Sequence, residues 1–147
     1  MPHLKCNVGE YGVIVNGEGK FLILRLPLND EFPTEMWMLP GGRLESDDKP
    51  EDGLRREVIE ETGLKVDIVA PIHTARWGIE DPPKYSVFYL CHVVGGSDAV
   101  ISSEHEESRW IGFDEIGSIP WHNINSRLAA EKASKLRSCL ARGVENT

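Results

Sequence analysis

The chain is short of cysteine and of long apolar segments, and both absences exclude classes of protein. Its three cysteines, Cys6, Cys91 and Cys139, are odd in number and lie far apart. They therefore match neither a zinc-binding pattern nor a disulfide framework. No apolar run approaches the roughly 20 residues that span a bilayer, and the first twelve residues, MPHLKCNVGEYG, lack the apolar core of a signal peptide. These absences predict a cytoplasmic protein with buried or incidental thiols and no membrane partner.

Positive charge is also scarce. The 147 residues carry 24 acidic side chains against 16 Lys and Arg, for a formal net charge of -8. Binding to a nucleic-acid polymer depends on clustered positive charge, so the composition argues against such a partner. A small anionic substrate stays compatible with it, because bound divalent cations reverse the local field. An acidic protein that handles phosphates is therefore expected to need a metal.

The sequence shows no repeat, no low-complexity segment and no linker, which favours one domain over residues 1–147. Residues 13–26 read as a hairpin around a turn at 16–19, and residues 27–35 as a loop. Pro50 suits the first turn of a helix that continues over residues 51–62. The buried face of this helix is predicted to contain Leu54 and Val58, with Ile59 at its edge. Strands are predicted at residues 37–39, 64–72, 85–96 and 108–111, a loop or hairpin end at 73–84, and a last helix at 126–142. This order indicates an α+β, or mixed α/β, layered domain.

Three carboxylates crowd the end of the central helix. Glu57, Glu60 and Glu61 stand at positions i, i+3 and i+4, just before Gly63, which is predicted to end the helix. Like charges at this spacing repel by roughly 0.2–0.5 kcal/mol per pair, and the helix dipole disfavours anions at this end. Convergent oxygen ligands would make a site for a hard cation such as Mg²⁺. The alternative is a solvated acidic face on which Glu60 pairs with Arg56.

The surrounding sequence, GGRLESDDKPEDGLRREVIEETGL, resembles the Nudix box, G-x5-E-x7-R-E-U-x-E-E-x-G-U, where U is a bulky aliphatic residue. The residues that fill its places are Gly42, Arg56, Glu57, Val58, Glu60, Glu61, Gly63 and Leu64. One position departs, because Asp48 stands where the family has its first glutamate. The match covers residues 42–64.

The resemblance implies a hydrolase that cleaves a phosphoanhydride in a nucleoside diphosphate linked to a further group. It also implies a Nudix α/β/α sandwich, with a mixed β-sheet between helices. Carried over by position, Glu57, Glu60 and Glu61 would bind Mg²⁺, or Mn²⁺ in its place, with the carbonyl of Gly42 as a further ligand. Arg56 would orient the acidic cluster, while Asp48 and Gly63 would shape the box.

The general base is left open between Glu61, Glu60 and an acid later in the chain. Glu104-His105 with Trp110 resembles the E-H-x4-W element found downstream of the box in MutT-like members. On that resemblance Glu104 is the later candidate, as metal ligand or as base. A carboxylate in an acidic field has a raised pKa, which improves it as a base.

Substrate contacts are predicted at three residues. Arg25 ends an apolar strand, and similar arginines in the family touch substrate phosphate; the alternative is an edge residue that reaches solvent. Trp37 and Tyr85 could stack on a base, as could Trp77 and Phe88, although aromatic residues in strands are more often simply packed.

The preferred function is a Mg²⁺-dependent, MutT-like pyrophosphohydrolase acting on a nucleoside triphosphate. An ADP-ribose or dinucleoside polyphosphate hydrolase is an alternative, although Pro82, Pro83 and Tyr85 come late for the residues that mark those classes. The other alternative is a Nudix-fold module that senses a nucleotide without hydrolysing it. Monomer and homodimer both stay open.

Overall fold

The computed structural model describes residues 2–79, 81–95 and 107–145, and side chains up to residue 139. Within these ranges, seven strands, two α-helices and a 3₁₀ helix follow one another. They are β1 (Asn7–Val15), β2 (Phe21–Arg25), β3 (Trp37–Met38), β4 (Gly41–Arg43), α1 (Pro50–Thr62), β5 (Lys65–Trp77), β6 (Lys84–Gly95), β7 (Glu107–Ile111), the 3₁₀ helix (Phe113–Ser118) and α2 (Ile124–Glu145).

The strands form one mixed sheet with the order β3-β2-β1-β6-β5. The two central strands, β1 and β6, run parallel, with Tyr11 opposite Phe88. The other pairs are antiparallel, including β4, which pairs with β1 and sets Gly42 opposite Glu10. This register places the short glycine strand β4 directly beside a central strand.

The two helices lie on opposite faces of the sheet, because side chains alternate along β1. Ile14 packs with Leu54 and Val58 of α1, whereas Val13 and Val15 pack with a cluster that contains Ala129 and Ala133 of α2. The predicted α/β/α sandwich is confirmed. Within the described residues, no helix is long and apolar enough to cross a membrane.

The central helix confirms the local reading of the sequence. It begins at Pro50 and is capped by Gly63, which has φ 72° and donates its N–H to the Ile59 carbonyl at 2.9 Å. Leu54 and Val58 are fully buried, but Ile59 is 48% exposed, so the buried stripe is narrower than expected. The turn between β1 and β2 and the loop before β3 also lie where the sequence predicts them, although β1 already begins at Asn7, six residues before the predicted hairpin.

The strand β5 is longer than predicted. Residues 73–84 were assigned to a loop or a hairpin end, and within that range residues 73–77 continue β5, with Trp77 opposite Lys84. Strand pairing with β6 overrides the weak local pattern there, because each added pair satisfies further backbone groups. The longer strand carries Trp77 to the mouth of a cavity described below.

Cys6 and Cys91 are free thiols. Cys91 is buried, and its burial raises the pKa of the thiol to about 12. Cys6 is half-buried and Cys139 is exposed.

Candidate active site

The first residue of β4, Gly41, contacts a side chain near the C-terminal end of α1. Its backbone N–H donates to Oε1 of Glu61 at 2.9 Å, and Glu61 is only 4% exposed. Gly41 has a backbone φ of 152°, which residues with a side chain rarely adopt. A Cβ there would also collide with backbone atoms of Glu10 and Tyr11. A glycine is therefore required for β4 to run close to β1 while it holds the Glu61 carboxylate.

The next glycine brings a second carboxylate against the backbone. A Cβ on Gly42 would lie 2.6 Å from Oε2 of Glu57, so a side chain at this position would displace that carboxylate. Gly42 and Glu57, which are 15 positions apart in the sequence, are thus in direct contact.

Arg56 ties the acidic residues of the box together. Its guanidinium donates to Oδ1 of Asp48 and to Oε1 of Glu57, the latter at 3.1 Å. It also lies 3.7 Å from a carboxylate oxygen of both Glu60 and Glu45. The hydrogen bond from Arg56 lowers the pKa of Asp48, and the same contact raises the pKa of Arg56. One cation therefore offsets the repulsion that the helical spacing creates.

The structure brings two of the three box glutamates to adjacent residues of β4. Glu61 turns inward to Gly41, Glu57 lies between Gly42 and Arg56, and the Glu60 side chain is 59% exposed. Across residues 2–79, 81–95 and 107–145, no three His, Cys, Asp or Glu side chains are close enough to hold a metal ion. The donors are nevertheless of the kind that suits Mg²⁺, since all are oxygens. The space that a Gly42 side chain would fill is the place where the Glu57 carboxylate meets the backbone.

A fourth carboxylate stands beside the box and was missed. Glu10, on β1 opposite Gly42, is 1% exposed and accepts a hydrogen bond from the Tyr89 hydroxyl at 2.8 Å. Burial raises the pKa of Glu10. The only signal in the sequence is an acidic residue in an otherwise apolar strand.

Of the other predicted residues, Glu104 lies outside the described ranges, as does His105. Arg25 ends β2, with its Nε 3.7 Å from Oε2 of Glu107 and its side chain 26% exposed. Tyr85 is half-buried, and the Arg76 guanidinium lies 5.7 Å from its ring centre.

The prediction that Trp37 stacks on a base is wrong. Trp37 is 0% exposed within the core. Its indole N–H donates to Glu35 at 2.7 Å, and the Arg109 guanidinium covers its ring at 4.6 Å from the centre. A ring with no accessible surface cannot stack on a ligand.

A cavity of about 280 Å³ lies on the α2 side of the sheet. The residues that matter for its chemistry are Tyr11, Arg43, Trp77, Lys84, Phe88 and His122. Arg43 directly follows Gly42, so the cavity adjoins the box. Trp77 and Phe88 were among the aromatic candidates from the sequence, whereas Tyr85 and Trp37 are not part of this lining.

Lys84 is the half-buried cation of this cavity. Its Nζ donates to the Tyr11 hydroxyl at 2.6 Å. The ammonium also lies 5.1 Å from the Tyr11 ring centre and 5.2 Å from that of Trp77. Tyr11 and Lys84 are 73 positions apart, and no local pattern connects them.

Comparison with known proteins agrees with the architecture and the box. A family model described as NUDIX domain matches residues 8–132. A MutT-like protein of Streptomyces ambofaciens is 34% identical over 113 residues, which cover 75% of this chain and 66% of that protein, just under two thirds of its length. The nucleoside triphosphatase NudI of Klebsiella pneumoniae is 22% identical over 116 residues, covering 70% of this chain and 80% of that protein. The crystal structure of a MutT protein from Methanosarcina mazei Go1 superposes with a TM-score of 0.75 at 25% identity, covering 93% of this chain and 99% of that one.

Proposed function

The chain belongs to the Nudix family of hydrolases, which act on nucleoside diphosphate derivatives, and we propose that it is a Mg²⁺-dependent, MutT-like pyrophosphohydrolase. Its substrate would be a nucleoside triphosphate. The observation that carries the proposal is the pair of glycine–carboxylate contacts, Gly41 with Glu61 and Gly42 with Glu57. The triphosphate is favoured because the relative from Klebsiella pneumoniae is named a nucleoside triphosphatase.

Glu57, Glu60, Glu61 and the Gly42 carbonyl would hold the metal. When bound, Mg²⁺ neutralises phosphate oxygens and lowers the pKa of water. Arg56 keeps the acidic side chains in place through its contacts with Asp48, Glu57 and Glu60. Glu61, Glu60 or Glu104 would accept the proton of the attacking water.

A panel of nucleotides tests the reaction directly. We expect hydrolysis of at least one nucleoside triphosphate with Mg²⁺ or Mn²⁺, and its loss when EDTA removes the metal. Phosphate and pyrophosphate are measured separately, because pyrophosphate release identifies a pyrophosphohydrolase. Tight nucleotide binding without turnover would instead support a sensing module, and turnover in EDTA would contradict the metal site.

Replacing Asp48 tests how the box is organised. Its Oδ1 accepts from Arg56, and its Oδ2 accepts from the Glu45 N–H at 2.7 Å. We expect Asp48→Glu to keep or raise kcat/KM, because the charge that pairs with Arg56 is retained. Asp48→Asn should lower kcat/KM by about tenfold, since a neutral amide binds the guanidinium weakly.

Asp52→Asn is the matched control for the Asp48 variants. Asp52 lies in the first turn of α1 and contacts Arg55 at 3.5 Å, so its loss should leave kcat/KM within about twofold. A large loss in Asp48→Glu would show that the shorter side chain is itself required by this loop.

A further inference from the structure

The cavity beside the box holds an unusual arrangement of hydrogen-bond donors. The stem of Lys84 crosses β1 at Gly9, where a Cβ would lie 2.9 Å from Cε of Lys84. Among the described residues, no carboxylate lies within ion-pair distance of the Lys84 ammonium. The ammonium has three N–H donors, and the Tyr11 hydroxyl accepts one of them. Two donors are left for water or for a ligand.

His122 adds another donor. Asn123 Oδ1 accepts from the Ser126 N–H at 2.8 Å, which fixes the orientation of the amide. Asn123 Nδ2 therefore faces Nδ1 of His122, at 3.2 Å, so the neutral imidazole carries its proton on Nε2. Loss of solvent around the ring and the nearby Lys84 charge lower the pKa of His122, which favours this neutral form.

Arg43 completes the set at the cavity rim. It is exposed, and a guanidinium has donors only. The rings of Tyr11 and Trp77 supply flat apolar walls. The lining thus combines aromatic surface with an excess of donors, and its Arg43 directly follows Gly42 of the box.

We propose that this cavity receives the base of the nucleotide, and that Lys84 selects bases with a carbonyl oxygen over bases with an exocyclic amine at the same position. The inference rests on the proposed function and names the substrate class of that site. A carbonyl accepts a charge-assisted hydrogen bond from the ammonium. An amine is a donor, so it leaves the Lys84 donors unpaired and places donor against donor. Uracil is therefore preferred to cytosine, and hypoxanthine to adenine.

Two pairs of substrates, UTP with CTP and ITP with ATP, test the preference for a carbonyl oxygen. The two members of each pair differ along one edge of the base only. We expect kcat/KM for UTP to exceed that for CTP, and kcat/KM for ITP to exceed that for ATP, by about tenfold or more in each case. Lys84→Met should reduce both ratios to less than about threefold by removing the donors. Lys84→Arg keeps donors and charge and should retain the preference.

Tyr11→Phe is a milder second variant that removes one oxygen atom. It deletes the acceptor that holds the Lys84 ammonium and should lower both ratios without a change in charge. Circular dichroism melts establish that each variant is folded. If Lys84→Met does not fold, the wild-type ratios together with Tyr11→Phe decide the question.

Binding of the monophosphates separates this inference from the proposed function. UMP against CMP, and IMP against AMP, are titrated by calorimetry with Mg²⁺ and again with EDTA. If no triphosphate is hydrolysed but UMP and IMP bind about tenfold more tightly, base selection stands and the proposed hydrolysis fails. If triphosphates are hydrolysed with equal kcat/KM within each pair, hydrolysis stands and base selection is overturned. Preference that survives Lys84→Met, or absence of binding by any monophosphate, also overturns it.

Discussion

Replacing Glu61 with glutamine is expected to lower kcat by at least about a thousandfold while the protein stays folded. Glutamine keeps an oxygen that accepts the Gly41 N–H, which the native Oε1 binds at 2.9 Å. The local structure should therefore survive. The amide, however, has no negative charge for a cation and does not accept a proton from water. Loss of activity with an unchanged fold would assign a chemical role to this carboxylate.

The measurement is single-turnover hydrolysis at saturating Mg²⁺, together with thermal unfolding followed by circular dichroism. Glu131→Gln provides the matched control, because it makes the same chemical change on α2, where Glu131 pairs with Arg127 at 2.9 Å on the surface. That variant should keep wild-type kcat. Wild-type activity in Glu61→Gln would exclude Glu61 from both metal binding and proton transfer.

Replacing Gly41 with alanine is expected to destabilise the fold by about 3 kcal/mol or more. The residue has φ 152°, and an added Cβ would collide with the Glu10 carbonyl oxygen and lie 2.6 Å from Cα of Tyr11. Both are backbone atoms of the central strand β1, so neither can move aside as a flexible side chain would. The pairing of β4 with β1 has to shift, and the N–H that holds Glu61 shifts with it. Activity should fall along with stability.

Urea denaturation measures this loss, with Gly17→Ala as its control. Gly17 lies in the hairpin turn, where a Cβ would meet nothing within 4 Å. Its replacement should change the free energy of unfolding by less than about 0.5 kcal/mol. If Gly41→Ala is as stable as Gly17→Ala, the close approach of β4 to β1 is not a requirement of the fold.

Much of the site is local in sequence, and this part was predictable. The box spacing fixes Glu57, Glu60 and Glu61 within two turns of one helix, since periodicity alone determines which residues share a face. Pro50 and Gly63 mark the ends of that helix, and both ends lie where the sequence predicts them. Asp48 pairs with Arg56, which lies only eight positions further along the chain.

The orientation of the carboxylates was not predictable in the same way. Glu61 turns to Gly41, 20 positions away, and Glu57 turns to Gly42. The helical pattern shows that these side chains are neighbours, but a backbone donor on another strand decides where each one points. The spacing alone therefore does not determine the direction of each carboxylate.

The sequence by itself determined the family, the element order and the position of the acidic helix, because each of these depends on spacing along the chain. Only the tertiary structure decided that Trp37 is buried, that Glu10 stands opposite Gly42, and that Lys84 meets Tyr11 across 73 positions. The alternation of side chains along a strand shows which residues share a face of the sheet. It does not show which face a helix covers or which face lines a cavity. The base-binding site proposed for this protein depends on the tertiary structure. Its hydrogen-bond donors include residues of β6 and of the segment that leads into α2, and they line one cavity only after these elements have packed with β1.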